Sequence, residues 1–185
     1  DVPLVRVKSS EGDTALLTTT LLPRLQLEGA RFEDVQALVY DLAPLSAHLA
    51  ALRARITPGD YFAILAYLPM TPAHEAQLSR LRHRIRDEHR VATSLGFGPR
   101  FLHSTGQAYK GGPNSGVFLV LTADAPHDLT VPGQRWSFGV VQAAQARGDV
   151  AVLHARDRRV LRVHLGSDVA AGLALLERAL AISSR

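Results

Sequence analysis

The sequence predicts an α/β domain with a mostly parallel sheet and helices on both of its faces. Short, continuously apolar runs closed by turn residues, Tyr61 to Leu68 before Pro69 and Gly116 to Leu121, have the length and composition of strands covered on both sides. Other stretches repeat their apolar residues every three or four positions, as helices with one buried face do. Alternation of the two kinds favours a parallel sheet. Residues 98–115 decide the matter: a short helix there keeps the alternation, whereas a plain loop would suit a ferredoxin-like α+β fold.

Residues 1–30 carry short apolar groups broken by Gly12, Pro23 and Gly29 and read as an irregular or strand-forming lead-in. Phe32, Val35, Leu38, Val39 and Leu42 then recur at helical spacing, and Pro44 opens a second helix carrying Leu45, Leu49 and Leu52. After the strand at 61–68, Thr71 and Pro72 supply an N-cap and a preferred first helical residue, and Leu78, Leu81 and Ile85 line one face. Val91 to Phe97 reads as a strand, as does Val160 to Leu165. Before the latter, Trp136 and Phe138 are expected as core anchors at the entrance of a helix that has no obvious capping box and breaks at Gly148. Ser167 is expected to cap a final helix with Val169, Leu173, Leu176 and Leu180 on one side. The division expected is a lead-in with two helices over 1–56 and the α/β domain over 57–185.

Composition narrows the function classes. A length of 185 residues suits one domain. No apolar run approaches the roughly 20 residues that cross a bilayer, so no membrane association is expected. Cysteine is absent, which removes disulfides and thiolate ligands and fits a cytoplasmic protein. The net charge of +4 comes from a chain whose 21 basic residues include only two Lys, Lys8 and Lys110. Its densest basic stretch, Arg80, Arg82, Arg84, Arg86 and Arg90, winds around a helix without interleaved aromatics, so nucleic acid is not an expected partner. The chain begins at Asp1 without an initiator Met or a signal-peptide pattern, as an excised domain or processed fragment would.

Chemistry concentrates between Gly96 and Pro113. Glycines there allow close approach of backbone to a ligand, and Arg100, His103, Ser104, Thr105, Gln107 and Lys110 are groups that bind phosphate or polyols. A structural glycine-rich turn capped by Ser104 or Thr105 accounts for much of the same pattern. Elsewhere, His74, His83 and His89 are read as surface residues without metal-ligand spacing, His127 and Asp128 as a polar turn, and His164 as a sheet-surface residue alternating with Arg162.

The segments Gly59 to Leu68, Leu95 to Gln107, Lys110 to Pro113, Gly116 to Phe118 and Val160 to Leu165 resemble the C-terminal region of bacterial glucose-6-phosphate isomerases, as found in transaldolase/glucose-6-phosphate isomerase fusions. The resemblance covers about residues 57–180. It implies interconversion of glucose 6-phosphate and fructose 6-phosphate, no cofactor, a sugar phosphate ligand and preceding isomerase domains as partners; homo-oligomerisation is left open. More distantly, His103-Ser104 with Gln107 is similar to the His-Ser-Phe-Tyr-Gln element of ordinary glucose-6-phosphate isomerases, with Thr105 and Gly106 replacing the aromatic pair. This implies His103 as the ring-opening acid; by their own chemistry Lys110 is expected beside it in catalysis as a positive charge, Arg100 as a charge or phosphate partner, and Ser104, Thr105 and Gln107 as hydrogen-bonding, substrate-binding groups.

Isomerisation also needs a base that moves a proton between C1 and C2. The family uses Glu, yet no Glu lies between Glu88 and Glu177, leaving Asp124 and Asp128 nearby. The family's lysine-bearing Phe-Asp-Gln element is absent as well. The expectation is therefore a partial contributor to an active site, inactive alone. Its alternatives are a non-catalytic assembly or regulatory domain of the isomerase and an independent small-molecule binding module.

Overall fold

A computed structural model describes residues 36–38, 42–125 and 127–182, with side chains from Leu45 onward; the lead-in of 1–30 lies outside this range. The chain runs β1 (Gln36–Leu38), α1 (Leu42–Arg53), β2 (Tyr61–Tyr67), α2 (Pro72–His89) and β3 (Ala92–Phe97). A 3₁₀ turn (Arg100–His103), α3 (Thr105–Gly111), β4 (Gly116–Thr122), α4 (Phe138–Ala155), β5 (Arg159–His164) and α5 (Val169–Ile182) follow. The strands form one sheet in the order β1-β5-β4-β2-β3. Among the described residues every pairing within this sheet is parallel, unlike the antiparallel sheet of the ferredoxin-like alternative. Residues 98–115 hold the helical turns that the alternation requires.

The apolar runs become strands because both of their faces are buried. Phe62, Ile64, Ala66 and Leu68 join Leu45, Leu49 and Leu52 of α1, Leu78, Leu81 and Ile85 of α2, and Leu173 and Leu176 of α5 in one core. Ala63, Leu65 and Tyr67 point the other way, into a second core with Phe101, Tyr109, Phe118, Ala146, Val150 and Leu153 beneath the 3₁₀ turn, α3 and α4. The period of two along a strand thus feeds two helix layers. Because α1 packs in the first core and β1 pairs with β5, both belong to the same layered unit as the rest of the sheet.

Several local expectations are met and others corrected. Thr71 caps α2 by accepting from the His74 amide at 3.2 Å, with Pro72 at the first position. The helix expected around Leu38 is instead the strand β1, because Gln36, Ala37 and Leu38 pair with Arg162, Val163 and His164 of β5. Tertiary pairing overrides the local spacing. α4 does not break at Gly148 but runs to Ala155; a glycine inside a packed helix costs only about 1 kcal/mol. Its N-cap is Ser137, whose hydroxyl accepts from the Val140 amide. Trp136 and Phe138 are not core anchors, being 40% and 55% exposed. The side chain that accepts from the first turn of α5 belongs to Asp168, at 3.0 Å from the Ala171 nitrogen, instead of Ser167. His89 is not a free surface group: it is half-buried and accepts from Arg53 Nε at 3.3 Å.

Candidate functional site

The chain order places a crevice at one edge of the sheet. β2 leaves over the first face through α2, and its neighbour β4 leaves over the opposite face through α4. The two connections diverge, so among the described residues no helix covers the gap outside the carboxyl ends of β2 and β4, the place where open α/β sheets hold ligands. A cavity of about 690 Å³ lies there, between Tyr67 and Pro99 on one side, residues 123–125 and 127–129 on another, and Gly139, Gln142 and Gln145 of α4 on the third. Its size is that of a small-molecule site.

Tyr67 forms the floor. Its ring stands edge-on to Phe101 at 5.5 Å, and Gly98 lies so close that an added Cβ would sit 2.7 Å from the ring. Only glycine permits that approach. Burial, and after it the Asp149 carboxylate, push the Tyr67 hydroxyl well above its ordinary pKa.

The outer wall is a folded-back loop. The Leu129 carbonyl accepts from the Phe138 amide at 2.9 Å and the Trp136 carbonyl from the Val131 amide at 3.1 Å, with Thr130 and Ser137 bridged antiparallel. Asp128 closes the loop onto the first turn of α4, accepting from the Ser137 hydroxyl and from the Gly139 amide, the latter at 2.7 Å. The Ser137 hydrogen bond is the main reason that Asp128 is held below the usual carboxylate pKa. Gly139 has no room for a side chain, since a Cβ there would meet this carboxylate at 2.7 Å.

Beside the cavity, and sharing Tyr67, Asp124, Asp128, Gly139 and Gln142 with it, a recess of about 250 Å³ reaches to Thr122, Arg162 and His164. The register explains this cluster, for Thr122 stands opposite His164 and Val120 opposite Arg162 across β4 and β5. Arg162 Nε donates to Thr122 Oγ1 over a long 3.4 Å. Thr122 Oγ1 lies 3.0 Å from His164 Nδ1, and His164 Nε2 lies 3.3 Å from Asp124 Oδ1. These contacts link four side chains in one row, from guanidinium to carboxylate. Asp124 remains 62% exposed at the junction of recess and cavity.

The residues expected from sequence are not gathered in this crevice. Arg100 and Ser104 border a separate hollow of about 300 Å³ with Glu75 and Met70, beyond the end of β3. Arg100 Nη1 lies 3.0 Å from Met70 Sδ, and Ser104 Oγ donates to the Phe101 carbonyl at 3.3 Å. His103 and Thr105 are exposed, as is Gln107, whose amide donates to the Leu102 carbonyl at 2.5 Å. Lys110 is apart from all of them, its Nζ 2.8 Å from Asp149 Oδ1, with the two side chains 17% and 3% exposed. Its charge is already neutralised beneath α4. Sequence reasoning passed over Thr122, Asp124, Arg162 and His164 as a group; the usable signal was that Arg162 and His164 alternate with Val and Leu in a strand whose both faces are covered.

No family model matches the sequence, and no curated protein does. Among solved structures the chain is similar to the crystal structure of hypothetical protein TT0462 from Thermus thermophilus, with a TM-score of 0.60 and 18% sequence identity. That similarity covers 85% of this chain and 43% of the other, so the chain spans under half of that structure's length. At this identity the similarity concerns the fold, and it agrees with the parallel layered sheet described above.

Proposed function

We propose that this chain is the C-terminal part of a cytoplasmic glucose-6-phosphate isomerase and that its crevice contributes one portion of the sugar phosphate site. The observation that carries the reading is the position of the crevice at the divergence of β2 and β4, with Asp124 exposed in it and oriented by His164. This carboxylate is of the class required for proton transfer between C1 and C2, in a chain that has no Glu between Glu88 and Glu177. Gln142, Gln145 and His127 offer hydrogen bonds to sugar hydroxyls. His103, exposed beyond β3 at the same edge of the sheet, serves in this reading as ring-opening acid toward a ligand shared with preceding isomerase domains.

The test has two arms. Titration of the 185-residue chain with 6-phosphogluconate, followed by amide chemical shifts, is expected to perturb Asp124, Gly139 and Gln142, while the chain alone gives no turnover of fructose 6-phosphate. In a full-length protein, His103→Ala and Asp124→Asn are each expected to lower kcat by about 10²-fold or more with folding intact. Unchanged turnover in both variants would refute the reading and favour an assembly or regulatory role.

A further inference from the structure

Arg162 presents an imbalance that the proposed reaction does not use. It is half-buried on the face of β5 that α4 covers, and a buried cation ordinarily has an anionic partner. Among the described residues it has none: its one hydrogen bond is the long contact to Thr122. The two carboxylates that line the recess are turned to other work, Asp124 toward His164 and Asp128 toward Ser137 and the Gly139 amide. Burial holds the Arg162 guanidinium below its ordinary pKa.

We infer that the recess at Arg162 is a phosphoryl-binding subsite, in which the guanidinium and the Thr122 hydroxyl take the oxyanion. The chemistry selects the group. A guanidinium binds tetrahedral phosphoryl oxygens through paired N–H donors, with the Thr122 hydroxyl as a further hydrogen-bonding group. The volume of about 250 Å³ admits a phosphoryl group with room for bridging water. The recess opens into the larger cavity past Asp124, Gly139 and Gln142, so a phosphate monoester anchored at Arg162 extends its organic part over Tyr67. The inference takes the crevice as the ligand site, as proposed above, but does not depend on the reaction being isomerisation.

The experiment is titration of the 185-residue chain with inorganic phosphate and, separately, acetate, comparing the wild type with Arg162→Met, Arg162→Lys and Arg156→Ala. Arg156 is exposed at the far end of α4 and serves as a charge control. Phosphate is expected to bind the wild type and the control equally, with affinity reduced about tenfold or more in Arg162→Met and less in Arg162→Lys, which keeps charge but loses the fork. Thermal unfolding of Arg162→Met without phosphate is expected at or above the wild-type midpoint, because no ion pair is broken. Absence of phosphate binding, equal affinity in Arg162→Met, or acetate binding as tightly as phosphate overturns the subsite. Should Arg162→Met fail to fold, the Arg162→Lys affinity decides. Fructose 6-phosphate binding no tighter than phosphate would sink the sugar reading and leave the subsite standing.

Discussion

Replacing Asp60 with Asn should remove a measurable, pH-dependent part of the stability. Asp60 precedes β2 and accepts from both ends of the Arg159 guanidinium, at 2.6 and 2.8 Å, and from the Thr57 amide and hydroxyl at 2.7 and 2.8 Å. Arg159 begins β5 and donates also to the carbonyls of Arg55, at 2.8 Å, and Asn114, at 3.2 Å. The pair therefore ties together the amino-terminal ends of β2, β4 and β5. Chiefly through the Arg159 hydrogen bonds, the Asp60 pKa falls from 3.8 to about 2. At ~1.36 kcal/mol per pH unit that gap corresponds to about 2 kcal/mol; screening at the rim of the pair reduces it to about 1–2 kcal/mol.

The sign follows from the direction of the shift. A carboxylate with a depressed folded-state pKa stabilises fully above its unfolded value and ceases to do so as pH falls through the folded value. Urea unfolding of wild type and Asp60→Asn, at a series of pH values, should show a difference of about 1–2 kcal/mol above pH ~4.5 that closes between pH ~4 and ~2. Far-UV circular dichroism is the better probe, since the single Trp, Trp136, is 40% exposed and outside the cores. A difference that persists unchanged to pH ~2 would refute the charge argument and point to packing. No difference at neutral pH would show that the pair contributes nothing.

Two further predictions concern groups near the crevice. Lys110→Met should destabilise by about 3 kcal/mol because it leaves Asp149 buried without its cation, and Lys110→Met with Asp149→Leu should recover most of that loss in a thermal double-mutant cycle; a full loss of activity with unchanged stability would instead make Lys110 catalytic. Asp128→Ala should raise hydrogen exchange at the Gly139 amide on the order of tenfold. In the wild type that protection is present at neutral pH and is lost only on acidification below the usual carboxylate range, as the depressed Asp128 pKa requires.

The strands and helices that were legible in the sequence are those whose local signals agree with their packing. β2 and β4 announce themselves as apolar runs because both faces are buried, and α2 carries its own cap and proline. β1 escaped because three residues hold too little pattern to outweigh a helical spacing that extends past them, and its strand character comes from β5. The site divided in the same way. The segment 96–113 is chemically dense and therefore conspicuous, yet its hydroxyls and amide mostly face solvent or cap their own turns. Thr122 and His164 stand 42 residues apart and meet only through the parallel register. No local rule joins Asp128 to the start of α4 either, since the loop between them must first fold back.

That folded-back loop has a consequence for binding. Because Asp128, the Thr130–Ser137 bridge and the Phe138 amide fasten it to α4, the crevice wall is in place before any ligand arrives. Such a wall requires little ordering on association, so affinity should reside in complementarity more than in closure. Internal carboxylate already occupies the amide end of α4. An incoming anion is thereby turned away from the helix terminus and left with Arg162 as its destination, which makes the loop a determinant of which way round a ligand lies.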